Sequence, residues 1–546
     1  MLRWLLLTWC FLLSPVLAQN GFPVVPVPAQ NPMTPAKVTL GRILFWEEQV
    51  SSDNTTACGT CHMPEVGGGD PRAFSALNLH PGVDGVLGTA DDIRGSRGVV
   101  TCDNTGAFTN DGTFFPRPFV TPRKAPSAIG AQWDLHTFWD GRAKSQFIDP
   151  VSGSVVIPTG GALESQAVGP PATSEMGCAG RSITDICARL VSQRPLRMAQ
   201  AVPQDMAAAI QAHPTYPALF QWAFGDPAIT PVRFAFAIAS YERTLNPNQT
   251  PLDAYLAGNT SALNQHQLAG KALFEGNANC SFCHTLPLGT DHDFHNIGLR
   301  PPVEDMGRQV VTGQWSDRGK FKTPHLRNIA LRAPYFHNGS ASTLDDVLTF
   351  YDNGGTLTEN LDPAMVPLGL TSMERMRLLM FLQQALTDPR VAQRLPPFDR
   401  PTLYSEWGQW PQHFGVASGP PTGWQPVHVT PRPAIIGMDA FGLGVACIPG
   451  GATGLLGIAA SSAQPPLSAG GVNVYIPLDA GTVLVPFQAS GAQGIPGAGH
   501  ASLSLAIPDT PLLSGVSFYA QWLAFDAAGP MGVSLTDAVQ ITFQLP

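Results

Sequence analysis

The chain has 546 residues, a formal net charge of −9, 13% charged and 44% hydrophobic residues. That length corresponds to about three domains on a prior of roughly 100 to 200 residues each, and an acidic balance without any basic block speaks against nucleic acid and anionic membrane surfaces as partners. No stretch of roughly eighteen apolar residues occurs, so no integral membrane segment is expected.

The first residues read as an export signal. Met1-Leu2-Arg3 is a positive start, Trp4 to Leu13 a short apolar run, and Pro15-Val16-Leu17-Ala18 supplies small residues before Gln19. A signal peptide over 1–18 places the mature protein in the periplasm or otherwise outside the cytoplasm, where oxidising conditions permit disulfides.

Two segments then carry the same five-residue pattern, Cys58-Gly59-Thr60-Cys61-His62 and Cys280-Ser281-Phe282-Cys283-His284. Two thiols add across porphyrin vinyl groups and the adjacent imidazole ligates the iron, so the pattern predicts two covalently bound c-type haems, with His62 and His284 as metal ligands. A zinc ribbon would need a second ligand pair nearby, but the next cysteine after Cys61 is the lone Cys102, and after Cys283 the lone Cys447. Four cysteines of the mature chain remain; proximity favours a Cys178–Cys187 bridge, with Cys102–Cys447 as its complement.

Between Ser342 and Gly355 a short helix is expected. Ser342 or Thr343 serves as N-cap, Asp345 and Asp346 fill the first turn, and Gly354-Gly355 stops it. Leu344, Val347, Leu348 and Tyr351 recur at helical spacing, which puts Tyr351 on the buried stripe. From Ala434 onward there is no Lys or Arg. Short alternating runs such as Val472–Ile476 and Val539–Phe543, separated by turn residues, read as a β-sandwich of unassigned role.

Further spaced motifs join the attachment sites: Phe138-Trp139-Asp140-Gly141-Arg142, Leu163 to Pro170, Glu175-Met176, Phe321 to Asn328, and Ala333-Pro334-Tyr335-Phe336-His337-Asn338-Gly339. With these the chain resembles the bacterial di-haem cytochrome c peroxidase family, including its MauG-like branch, from Thr34 to Leu403. The resemblance implies two cytochrome c-like haem domains, 19–246 (peroxidatic) and 247–405 (electron relay); with the all-β, sandwich-like domain read from the tail over 406–546, the chain is expected to be mainly α.

It implies roles as well. Trp139 would lie between the haems, Glu175 would be the distal acid that moves a proton during peroxide cleavage, and Gln166 would line the same pocket, although the interval from Gln166 to Glu175 is one residue shorter than the family's. His337 would stand beside the second haem. Tyr351 occupies the position where ordinary members place a Met ligand to the second iron. A phenolate is a hard anionic donor that favours oxidised iron, whereas a thioether raises the potential. The alternative is that Tyr351 only packs and Met306 or Met365 ligates.

Members of the family often hold calcium between the domains, but the corresponding places here have Lys124 and Arg332, and an ammonium has no acceptor. Interdomain calcium is therefore doubtful, with the Lys124 charge in its place. The acidic loop from His80 to Asp92 fails the EF-hand spacing and reads as solvated; His80 falls where some members keep a removable distal ligand. Three functions fit: a peroxidase fed by a small cytochrome c or cupredoxin, a MauG-like enzyme using hydrogen peroxide to oxidise aromatic residues of a protein substrate, and a non-enzymatic electron-transfer cytochrome.

Overall fold

The computed structural model describes residues 22–421, 423–438 and 441–546; the export segment lies outside the described residues. The first core forms where the helix Pro35–Phe45 crosses the helix Pro231–Glu242. Thr34 caps the first of these by accepting the Lys37 N–H at 3.2 Å, and a proline at the first helical position needs no donor there. The crossing is so close that a Cβ on Gly41 would overlap the Ala237 carbonyl. Leu40, Ile43, Leu44 and Phe45 thereby pack on Phe234, Ile238 and Tyr241, each large side chain contributing about 1.5–3 kcal/mol through burial.

The second core repeats the device. Gln265–Glu275 crosses Ser372–Met380, and a Cβ on Gly270 would overlap the Arg377 carbonyl. Asn264 with Gln267 and Thr371 with Glu374 form reciprocal caps that start these helices. Leu252, Phe274, Leu344, Leu348, Leu378 and Phe381 fill the interior. Beyond it, Val391, Phe398 and Leu403 return to pack in the first core.

The remainder is strand. A three-stranded sheet orders Val427–Val429, Phe441–Ile448 and Gly499–Leu505; a second sheet is built on Ala538–Gln544, Ser517–Phe525, Thr453–Ala459 and Val483–Gln488. Leu443, Val445 and Ile448 of the first sheet share one core with Leu456, Trp522 and Ile541 of the second, as a sandwich requires.

Two expectations are corrected. The chain is not mainly α: the longest helix among the described residues has 12 residues, long irregular segments wrap the cavities of both helical domains, and the C-terminal part is built of strands joined by loops and two short 3₁₀ turns. Such segments present side chains to a large cavity rather than to another helix, so 3.6-residue periodicity has nothing to enforce there. The disulfide joins Cys102 to Cys178, not Cys178 to Cys187 or Cys102 to Cys447. The helix Ile183–Leu190 turns Cys187 inward with Ile186 and Leu190, and Cys447 stays free.

Candidate haem and proton-transfer sites

Each Cys-x-x-Cys-His segment edges its own cavity. Cys58, Cys61 and His62 line one of about 450 Å³; Cys280, Cys283 and His284 line the other, of about 250 Å³. His62 Nδ1 lies 3.1 Å from the Gly68 carbonyl, and His284 Nδ1 lies 2.8 Å from that of Gly289. A carbonyl only accepts, so Nδ1 carries the proton and each Nε2 keeps its lone pair, while burial holds both imidazoles neutral. Two thiols, a fixed neutral imidazole and an adjoining large cavity are the donor set that a covalent haem requires, so the residues present fit two such groups.

The first cavity gathers Gln166, Glu175 and Trp139 with His62. Gln166 projects from the short helix Ala162–Ala167, whose Glu164 is clamped by Arg243 at 2.8 and 2.9 Å and by Asn31 at 2.9 Å. Among the described residues the Glu175 carboxyl has no hydrogen-bond partner; burial raises its pKa and the Arg142 charge only partly opposes this. His80 lines the cavity too, its Nδ1 accepting the Gly82 N–H at 3.1 Å. The rest of that loop is mostly exposed, with Asp91 accepting from the N–H of Val83 at 2.6 Å and of Asp84 at 3.0 Å.

In the second cavity Leu344, Val347, Leu348 and Tyr351 present one helix face, the helix being started by Thr343 and Asp346. The Tyr351 hydroxyl has no hydrogen-bond partner among the described residues, and burial holds its pKa well above the phenol range. Only a strong Lewis acid would ionise it there. Met365 also lines this cavity, whereas Met306 is 42% exposed and does not. His337 stacks on Phe321 at 3.7 Å and stands edge-on to Trp139 at 6.2 Å.

Trp139 borders both cavities. Its Nε1 donates to the Lys124 carbonyl at 2.7 Å. Around it the two halves repeat: Phe138-Trp139-Asp140-Gly141 and Phe336-His337-Asn338-Gly339 share a positive φ at the Phe (65° and 66°) and at the Gly (70° and 69°). Bridges Thr137 to Ala143 and Tyr335 to Ala341 close both turns. Lys124-Ala125-Pro126 and Lys322-Thr323-Pro324 repeat at the same offset, and the halves exchange bonds: Lys124 N–H donates to the His337 carbonyl at 2.7 Å, Lys322 N–H to that of Trp139 at 2.8 Å.

Lys124 Nζ donates to the carbonyls of Arg332 and Pro334. Arg123 adds a second tie across the seam, from Asp140 at 2.7 Å to Asp305 at 2.6 Å. One group escaped sequence reasoning altogether. Glu242, at the end of its helix, lines the first cavity near Cys58 with Oε2 unpartnered. Burial pushes its pKa up to about 8, with Arg243 opposing. Its only sequence signal is an acid ending a mostly apolar helix.

Residues 35–261 match the family described as di-haem cytochrome c peroxidase. The methylamine utilization protein MauG of Methylorubrum extorquens is 30% identical over 372 residues, 67% of this chain and 82% of that protein. Cytochrome-c peroxidase IdrP1 of Denitromonas iodatirespirans is 29% identical over 405 residues, 68% of this chain and 86% of that one. The crystal structure of a MauG-like protein associated with microbial copper homeostasis superposes with a TM-score of 0.50 at 26% identity, covering 72% of this chain and 98% of that chain.

Proposed function

The chain belongs to the di-haem cytochrome c peroxidase family and is an oxidoreductase with two c-type haems, and from that premise we propose that it is an exported enzyme that reduces hydrogen peroxide at the His62 haem with electrons relayed from the His284 haem. One observation carries the reading: Glu175 and Gln166 converge on the cavity of Cys58, Cys61 and His62, and Trp139 borders that cavity and the one edged by Cys280, Cys283 and His284. When bound, the haems supply the irons that exchange electrons and receive peroxide.

The chain's own residues do the rest. Glu175 sits in a poorly solvated cavity with a raised pKa, so it holds a proton more readily than a surface carboxylate and can move one from the near oxygen of peroxide to the departing oxygen. Gln166 offers an amide that can orient the oxidant without competing for the proton. Trp139 offers an indole edge to both cavities, fixed by its Nε1 bond to the Lys124 carbonyl. His62 and His284 would hold the two irons through Nε2, and Tyr351 would be the candidate for a further ligand to the second.

The test is Glu175→Gln in the two-haem protein. The rate with peroxide should fall by about 10² to 10⁴, the range for a positioned acid-base group, with the ferric spectra unchanged. A rate within a few-fold of the parent would overturn the assignment of Glu175.

A second reading rests on Tyr351. An oxygen ligand at the second iron would disfavour its reduced form, which suits an enzyme that uses peroxide to oxidise aromatic residues of a protein substrate. Mass spectrometry of co-secreted proteins after peroxide treatment distinguishes this from turnover with reduced cytochrome c or a cupredoxin.

A further inference from the structure

We propose that the C-terminal β-sandwich is a positioning element for Glu175, acting through residues 97–115 and the Cys102–Cys178 disulfide; this rests on the reading of Glu175 as the acid. The strand Phe441–Ile448 is buried on both faces. Phe441, Leu443 and Val445 enter the sandwich core, which by the two-residue period of a strand turns Gly442, Gly444 and Ala446 to the opposite face.

On that opposite face lies Phe108 of the first haem domain. A Cβ at Gly442 or Gly444 would come within 2.9 or 2.6 Å of its ring, so the glycines form a trough for it. The Phe108 N–H donates to Ser502 Oγ on the neighbouring strand at 3.1 Å, and the Phe115 ring lies 5.4 Å from that of His500. Val100, Cys102 and Phe108 make one buried cluster with Val429 and Ala446 of the sandwich.

The same segment grips the loop that carries the acid. Cys102 is bonded to Cys178, and its carbonyl accepts the Ala179 N–H at 2.8 Å. The Val99 N–H donates to the Ser174 carbonyl at 3.3 Å, and Gly98 lies so near that a Cβ there would be 2.8 Å from Glu175 Cα. From the other flank Ser52 donates its N–H to the Met176 carbonyl at 2.8 Å and accepts the Cys178 N–H on Oγ at 3.0 Å. Arg432 of the sandwich donates to the Ser52 carbonyl at 3.4 Å. Both grips on residues 174–179 thus lead back to the third domain.

The chemistry explains why such a grip matters. The Glu175 carboxyl has no side-chain partner to aim it, so its place over the cavity is set by its backbone, and a displacement of about 1 Å at a reacting group can cost about 10²-fold in rate. Phe108, Cys102 and Cys178 are therefore positioning residues, and none of them borders the cavity.

The experiment uses the full two-haem protein. Phe108→Ala, and separately Cys102→Ser with Cys178→Ser, are compared alone and combined with Glu175→Gln, reading the rate with peroxide across pH and amide hydrogen exchange by residue. Each should lower the rate by about 10- to 10²-fold, yet change it by less than about twofold once Glu175 is Gln, because both act through one carboxyl. Exchange should rise over 173–179 and stay unchanged over 280–290. Equal fold losses in both backgrounds would overturn the proposal, as would unchanged protection of 173–179. Should Glu175→Gln itself have no effect, the acid assignment falls alone, and the exchange data still decide whether the sandwich holds that loop. If Phe108→Ala does not mature, Phe108→Leu retains apolar volume and is judged by the same two readouts.

Discussion

Glu242 is a carboxyl the first cavity would hold more comfortably as an acid than as an anion. It is 5% exposed, its Oε2 has no partner among the described residues, and its pKa is pushed up to about 8 from 4.5. Between those values the folded protein keeps a proton that the unfolded chain has released, so its contribution to stability is complete below pH 4.5 and is lost as pH rises through about 8. At about 1.4 kcal/mol per pKa unit the loss is about 4–5 kcal/mol. Glu242→Gln keeps the shape and removes the titration. Urea unfolding of parent and variant between pH 5 and 9, followed by far-ultraviolet circular dichroism and Soret absorbance, measures the difference. Glu48 is raised to about 8 by burial and contributes the same slope to both proteins, so subtraction isolates Glu242. The parent should lose about 4 kcal/mol more than the variant across this range. Parallel curves would refute the account, because they would mean that Glu242 ionises in the cavity without penalty.

Three other outcomes follow from the geometry. Tyr351→Met should raise the potential of the second haem and change its ferric electron paramagnetic resonance signal; identical potentials and signals would make Tyr351 a packing residue and leave Met365 as the candidate ligand. Chelators should alter neither turnover nor melting, because Lys124 Nζ already donates to the Arg332 and Pro334 carbonyls; restoration of activity by added calcium would contradict that. Glu164→Gln, which leaves the 1%-exposed Arg243 side chain without its carboxylate, should cost about 3–5 kcal/mol in chemical denaturation.

The site was more legible than the fold. Cys58, Cys61, His62, Cys280, Cys283 and His284 are contiguous motifs whose chemistry needs no tertiary context, and the helix bearing Tyr351 announces itself through its cap and its stripe. Trp139, Gln166 and Glu175 are isolated residues, brought to one cavity in the structure yet visible beforehand only through spaced family motifs. What stayed hidden depends on distant segments meeting. The Cys102–Cys178 pairing spans 76 residues and is decided by which faces of two irregular loops oppose each other. Lys124 meets the Arg332 carbonyl 208 residues away. In the strand Phe441–Ile448 nothing local to Gly442 and Gly444 reveals the Phe108 ring that they accommodate.

The recurrence around Trp139 and His337 reads as the trace of a duplicated ancestor. Backbone turn, left-handed Phe, closing bridge and reciprocal amide bonds are shared, and the copies part company at the ring that follows the Phe, indole in one and imidazole in the other. Each half supplies the hydrogen-bond donor that finishes the other's turn, so neither is complete alone. Separating them would leave the His337 and Trp139 carbonyls without the N–H donors that Lys124 and Lys322 supply. The halves differ in that pair of rings and in their lysine heads, Lys124 Nζ donating to the Arg332 and Pro334 carbonyls and Lys322 Nζ to the Asp134 carboxylate.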